Sequence, residues 1–107
     1  MKRVKRRYLA LQIDFDGVPS HKEFMDAVWS AVAKLYGEYG ASQTSMALID
    51  YDVEKNTAVI RTSLATVDVV RASLASITSV ADREAAVHVL AVSGTIKALH
   101  QKTRQQL

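Results

Sequence analysis

The fold is decided by a change of period within the stretch YLALQIDFDGVPSHKE, residues 8–23. Its first half alternates in the manner of a half-buried β-strand, with Leu9, Leu11, Ile13 and Phe15 on one face and Tyr8, Ala10, Gln12 and Asp14 on the other. Gly17 and Pro19 then break the strand. Ser20 followed by Glu23 has the spacing of a capping box, in which each side chain satisfies a free backbone N–H of the other residue. The stretch therefore predicts a strand followed at once by a helix.

The rest of the sequence predicts further helices and strands in turn. An apolar stripe at helical spacing runs from Phe24 to Leu35 and is predicted to end at Gly37 and Gly40. Residues 44–53 and 57–63 return to period two and predict an antiparallel hairpin. A second helix, capped by Ser63 or Thr66, is interrupted over residues 79–83, a fourth strand covers residues 85–92, and Ser93-Gly94-Thr95 opens a last helix.

The order β-α-β-β-α-β-α predicts an α+β fold of the ferredoxin-like type, which RNA-recognition domains also use. We expect a four-stranded antiparallel sheet with two helices on one face. The first strand is predicted to lie centrally, and the fourth at an edge beside the second.

Length and composition indicate one small domain spanning residues 1–107. The chain has 49% hydrophobic residues and no cysteine, which excludes a disulfide framework and a zinc-thiolate site and suits a reducing compartment. No apolar run reaches the roughly 18 residues that a membrane-spanning helix needs. We therefore expect a cytoplasmic protein without a membrane partner.

Positive charge is concentrated at both ends of the chain. Eight of the fourteen bases lie there, namely Lys2, Arg3, Lys5, Arg6, Arg7, Lys97, Lys102 and Arg104. Residues 8–93 hold the other six bases and all eleven acids, a formal charge of −5. The pattern predicts a basic arm (1–7), an α/β body (8–93) and a basic C-terminal helix (94–107). Such ends favour a polyanion partner, because Lys and Arg that neutralise phosphates release counterions.

The third strand lacks the aromatic residues on which RNA bases would stack. Base stacking in RNA-recognition domains needs aromatic residues there, and residues 57–63 (TAVIRTS) contain none. Tyr8 is left as one candidate stacking residue. The start of the last helix offers an anion site instead, since Gly94 lets a phosphate approach the free backbone N–H groups and Lys97 lies close in sequence.

Two rival interpretations remain open. Asp14 with Asp16, and Asp50 with Asp52, are each two residues apart, so each pair would share a strand face and the carboxylates would suit Mg²⁺ in a metal-dependent enzyme. Asp at strand ends is also common for structural reasons. A small-molecule or metal-binding domain of the same fold would explain the body well and the basic ends poorly.

Four pieces of sequence resemble one family over nearly the whole chain. They are Lys5-Arg-Arg-Tyr-Leu9, Tyr36-Gly-Glu-Tyr-Gly-Ala41, Val59-Ile-Arg61 and Val92-Ser-Gly-Thr-Ile-Lys97. In this order they resemble ribonuclease P protein component 2, the small protein subunit of the RNA-based enzyme that removes the 5′ leader of precursor tRNA. The resemblance implies a subunit with no catalytic residues and no cofactor of its own, in a holoenzyme whose RNA holds Mg²⁺.

The resemblance also implies partners and contact residues. The partners would be ribonuclease P RNA, precursor tRNA and a TIM-barrel-like protein, component 3, with self-association left open. RNA contacts are expected from Lys2, Arg3, Lys5, Arg6, Arg7, Tyr8, Ser93, Gly94, Thr95, Lys97, Lys102 and Arg104. A protein interface is expected on the uncovered sheet face, with Ala10, Met46 and Leu48 as its candidates.

Overall fold

The structure, a computed structural model, describes residues 5–15, 17 and 19–104. Its elements are β1 (Arg6–Phe15), α1 (His21–Ser42), β2 (Ala47–Asp52), β3 (Thr57–Ser63), α2 (Val67–Ala75), β4 (Ser79–Val80), β5 (Arg83–Ser93) and α3 (Ile96–Arg104). A single 3₁₀ turn, Leu64–Thr66, leads into α2. None of the helices described is long and apolar enough to cross a membrane. The α+β class predicted from the sequence is confirmed.

The sheet is antiparallel and has five strands in the order β2-β3-β1-β5-β4. The additional strand, β4, pairs with the start of β5 through Ser79↔Glu84 and Val80↔Arg83. The turn between them places Ala81 and Asp82 at φ 52° and 64°. This hairpin was not predicted, because its turn lacks the glycine or asparagine that is usual at positions with positive φ.

The predicted position of the fourth strand is wrong. Its counterpart, β5, pairs with β1 from Tyr8↔Ser93 to Phe15↔Ala85, while β3 pairs with the other edge of β1. The predicted β2–β3 hairpin is confirmed, and β2 lies at the far edge of the sheet. Because β3 and β1 lie between β2 and β5, β5 does not pair with β2.

Helix α1 starts as predicted, and its helical conformation is interrupted at Gly37, where the sequence predicts an end. Ser20 Oγ accepts the backbone N–H of Glu23 at 3.1 Å, and the Glu23 carboxylate accepts the backbone N–H of Ser20 at 2.9 Å. Gly37 does leave the helical conformation, at φ 79° and ψ 168°. The chain then returns to a helix that continues through Gly40 to Ser42. Gly37 therefore ends the first helical stretch of α1 as predicted, whereas Gly40 lies inside the short helical stretch that follows and does not end it.

The main core lies between the sheet and helices α1 and α2. The alternation of β1 is confirmed, since Leu9, Leu11 and Ile13 are at most 1% exposed in this core. Alternation fails in β5, where the partner of Ala10 is Ala91 and the partner of Leu11 is Val89. The extra residue, Leu90, forms a β-bulge that reverses the faces beyond it. Val92 consequently packs on the main core, whereas Leu90 and Ala91 lie on the second face.

Helix α3 covers part of that second face. Leu99 is fully buried there against Ala10 and Val59. The ammonium group of Lys102 donates a hydrogen bond to the Val92 carbonyl at 2.8 Å, which fastens the other side of α3 to β5. Between α3 and strands β1 to β3 runs a groove of about 530 Å³.

Three hydrogen bonds stabilise the end of the sheet where β1 begins. Thr62 Oγ1 donates to the carbonyl of Thr44 at 2.8 Å, and the Ser63 N–H donates to the same carbonyl at 2.9 Å. The Leu64 N–H then donates to the carbonyl of Lys5 at 2.8 Å. The turn after β3 thus holds the chain at the first residues of β1.

Candidate nucleic-acid interface

The two basic ends of the chain meet where β1 begins and α3 begins. Tyr8 and Ser93 are partners in the sheet, so Arg7 lies beside Gly94. The approach is close, since a Cβ added to Gly94 would lie 3.3 Å from Nη1 of Arg7. Nη1 also donates to the carbonyl of Arg6 at 2.9 Å, which directs the guanidinium toward the start of α3.

The start of α3 has the geometry of a capped helix. Thr95 Oγ1 accepts the N–H of Ala98 at 3.1 Å, and Ser93 Oγ accepts the N–H of Thr95 at 3.4 Å. Ser93 is only 7% exposed, so it supports the turn rather than presenting its hydroxyl to a large ligand. The N–H groups of Ile96 and Lys97 belong to the first helical turn, in which no helical carbonyl is available to them. They and the helix dipole favour a negatively charged group.

The remaining residues predicted to bind RNA differ in their availability. Lys5, Arg6 and Lys97 are exposed, whereas Tyr8 is half-buried against the small cluster under α3. Lys102 is engaged with Val92, as described above. Arg104 is the last residue of α3, and its side chain is outside what the structure describes, as are Lys2 and Arg3 altogether. The residues brought together are therefore Arg6, Arg7 and the Ser93–Lys97 turn.

The three candidates for an uncovered protein interface do not lie on an uncovered face. Met46 is 8% exposed and belongs to the main core, and Leu48 packs against that core. Ala10 does lie on the second face, but it is 6% exposed beneath Leu99 of α3. The placement failed because the period-two pattern does not show which face of β2 the helices cover, nor that α3 folds back over β1.

Arg61, which the resemblance includes in Val59-Ile-Arg61, is a basic residue near this corner that was not among the predicted RNA contacts. It lies on β3 directly opposite Tyr8 of β1 and Ala47 of β2. It is half-buried, and its Nε is a buried nitrogen without a hydrogen-bond partner. Its alternation with the apolar Ala58 and Ile60 was the available signal, because it assigns Arg61 to the face opposite the core.

Of the two aspartate pairs, the structure describes Asp50 and Asp52 in full. Asp52 Oδ1 accepts the backbone N–H groups of Glu54 and Lys55 at 3.0 and 3.2 Å, which is the structural role of Asp at a strand end. Asp50 and Asp52 line the groove beneath α3, and Asp14 is exposed. Asp16 is outside the described residues. No group of three or more His, Asp or Glu side chains that could hold a metal ion occurs within the described ranges.

Two pKa shifts occur at the opposite end of the sheet, where α1 begins. The backbone N–H and the hydroxyl of Ser20 lower the pKa of the Glu23 carboxyl. Burial raises the pKa of the Tyr51 phenol, and the nearby negative charge of Glu23 raises it further. The Tyr51 hydroxyl donates to the carbonyl of Pro19, and its ring stacks on Phe24 with centroids 5.9 Å apart. These shifts report how α1 is anchored and do not concern the basic corner.

Comparison with known proteins identifies the family. Residues 7–104 match the model of the Rpp14/Pop5 family. Relatives named ribonuclease P protein component 2 include one from Pyrococcus furiosus, 33% identical over 97% of this chain and 87% of its own length. Another, from Methanobrevibacter smithii, is 35% identical over 90% of this chain and 86% of its own length.

A solved structure agrees at the level of the fold. A chain in the cryo-EM structure of yeast Ribonuclease MRP superposes with a TM-score of 0.72 and 17% identity, over 99% of this chain and 96% of that one. Sequence match and fold point the same way: the chain belongs to the Rpp14/Pop5 family.

Proposed function

We propose that this chain acts as a protein subunit of ribonuclease P and supports removal of the 5′ leader from precursor tRNA. Family membership over residues 7–104 supports this role, together with relatives that carry the name ribonuclease P protein component 2. The chain contributes binding energy to a ribonucleoprotein and performs no chemical step itself.

The proposed RNA contact is the corner formed by Arg6, Arg7 and the turn from Ser93 to Lys97. The observation that carries it is the approach of the Arg7 guanidinium to Gly94, which joins the basic start of β1 to the start of α3. A phosphate placed there would meet a guanidinium, free N–H groups and the positive end of a helix dipole. Such contacts position RNA backbones and carry no base sequence information.

Hydrolysis is assigned to the RNA and its bound Mg²⁺. A Mg²⁺ ion held by RNA phosphates would supply an activated water and stabilise the leaving oxygen. The chain lowers repulsion between RNA strands that must approach one another, so the active RNA fold and its Mg²⁺ become easier to form. Its stimulation of cleavage is therefore expected to be greatest at low Mg²⁺.

The acidic body is proposed to face away from the RNA or toward a basic partner. Residues 8–93 carry a formal charge of −5, which disfavours contact with phosphates over most of this surface. We place component 3, the TIM-barrel-like subunit implied by the resemblance, on part of the body. Opposite potentials on two such surfaces would speed their encounter.

Reconstitution tests the role directly. The chain is added to ribonuclease P RNA of the same organism, with and without component 3, and cleavage of precursor tRNA is followed at limiting Mg²⁺. We expect stimulation that requires the RNA and no cleavage by protein alone. No stimulation beside a working component mixture would contradict the proposal.

The contact surface is tested by a matched pair of double variants. Arg6→Ala/Arg7→Ala removes two charges at the corner, and Lys34→Ala/Arg71→Ala removes two exposed charges from the helix layer. The first is expected to weaken RNA binding and to lower the slope of log K against log salt by up to about two, while the second leaves both unchanged. Equal effects of the two variants would refute a localised site.

A further inference from the structure

We propose that Arg61 forms a second phosphate-binding site, on the face of the sheet opposite α1 and α2. The site lies in the row of partners Ser93, Tyr8, Arg61 and Ala47, which crosses four strands one step from the Arg7–Gly94 contact. The proposal deepens the function given above and rests on it, because the ligand it names is a phosphate of the same RNA.

The first argument is that the guanidinium is half-buried without a partner. Arg61 Nε is covered by protein atoms and makes no hydrogen bond, and no ion pair involves Arg61 within the described ranges. Asp50 lies opposite the neighbouring position Val59, yet no ion pair joins it to Arg61. Partial burial of an unpaired cation costs stability, so such a group calls for an explanation outside the folded chain.

The second argument is the position of the guanidinium in the sheet. β3 is an interior strand, between β2 and β1, so Arg61 is held by pairing on both sides. Nε is the only nitrogen of this guanidinium that is both buried and unpartnered, so the terminal nitrogens keep contact with solvent. An anion at these terminal nitrogens would gain charge-assisted hydrogen bonds from a guanidinium whose backbone is fixed in the sheet.

The third argument favours a phosphate over a carboxylate of a protein partner. Alternation along β1 places Arg6 on the same face as Tyr8, diagonal to Arg61, whereas Arg7 starts from the other face and Lys5 precedes the strand. Arg7 and the start of α3 adjoin the same row. A single carboxylate would neutralise one of these cations, whereas consecutive phosphates along an RNA strand would neutralise several.

The test compares Arg61→Met with Arg71→Met. Methionine retains an unbranched apolar side chain and removes the charge, and Arg71 is exposed on α2 in the opposite layer. For Arg61→Met we expect the affinity for ribonuclease P RNA to fall about tenfold or more, with a salt slope lower by about one. Arg71→Met should change neither quantity.

Thermal unfolding separates binding from a structural role. Because the unpaired guanidinium costs stability in the free protein, Arg61→Met is expected to keep or raise the melting temperature while it weakens RNA binding. Arg61→Lys retains the charge without the planar fork, so its RNA affinity should lie between those of the wild type and Arg61→Met, with the wild-type salt slope.

Several outcomes would overturn the proposal. One is an unchanged RNA affinity of Arg61→Met. If the melting temperature of this variant also falls, Arg61 has a structural role only. Weaker binding of component 3 with unchanged RNA affinity would assign Arg61 to a protein carboxylate instead. In each case the wild-type chain still stimulates cleavage, whereas failure of the proposed function would show as no stimulation by the wild type.

Discussion

Replacement of Gly37 by alanine tests the bend in α1. Alanine should destabilise the chain if residue 37 has the bent backbone of the structure, and stabilise it if residue 37 is helical. In the structure Gly37 has φ 79° and ψ 168°, a region that only glycine enters readily. A Cβ at this position would meet nothing within 4 Å, so side-chain contacts neither add to the cost nor offset it. The whole effect is backbone strain, about 2 kcal/mol within the usual range of about 1 to 3 kcal/mol.

The assay is urea unfolding at constant temperature, supported by thermal unfolding. For a domain of this size, about 2 kcal/mol corresponds to a fall of the melting temperature by about 8 °C. If α1 instead ran straight through residue 37, alanine would stabilise the chain by about 1 kcal/mol, because glycine is the poorer helix former. A rise in stability would therefore refute the bend.

A matched control exploits chirality. A semisynthetic chain with D-alanine at position 37 places the same methyl group on a residue that prefers positive φ. We expect its stability to equal or exceed that of the wild type. Loss of stability with both enantiomers would show that the positive φ of residue 37 is not the sole cause of the loss.

Four further substitutions test the start of α1 and the docking of α3 on the sheet. Ser20→Ala should cost about 1 kcal/mol in urea unfolding and bring the pKa of the Glu23 carboxyl back up toward its usual value by NMR; an unshifted pKa would contradict the capping box. Because that pKa is lowered in the folded chain, the stability it contributes is present above the usual pKa of a glutamate and is lost as the pH falls through the lowered pKa, and Glu23→Gln should abolish this loss. Tyr51→Phe should cost about 1 kcal/mol through the lost bond to Pro19. Since burial raises the pKa of Tyr51, its contribution is present below pH 10 and lost at higher pH, so an alkaline decline as steep in Tyr51→Phe as in the wild type would count against it. Leu99→Ala should cost about 2 to 3 kcal/mol and speed amide hydrogen exchange in α3 far more than in β1; uniform acceleration would show that α3 does not undock separately.

Local pattern was enough to identify most elements. The Ser20–Glu23 box and the alternation of β1 involve residues close in sequence, so their structure follows from short-range chemistry. β4 was missed because two residues carry no period, and its turn uses Ala81 and Asp82 at positive φ. The bulge at Leu90 was missed because an extra residue becomes visible only when the partner strand is known.

The candidate site was predicted in its composition and only partly in its geometry. The basic ends and the Ser93–Lys97 turn are properties of sequence, whereas their meeting depends on β5 pairing with β1. The assignment of Met46 to an open face failed because a period-two pattern does not show which face of β2 the helices cover. Alternation could have assigned Arg61 to the face opposite the core, whereas its unpartnered Nε is visible only in the structure.

The central place of β1 bears on when the proposed RNA-binding corner forms during synthesis. β1 is made first, but one of its edges waits for β5, whose last residue is Ser93, and its second face waits for α3. A nascent chain that has not yet released these residues from the ribosome presents basic residues without the geometry that would make them selective. If the corner binds RNA as proposed, binding with the native geometry begins only after nearly all of the described residues have been synthesised.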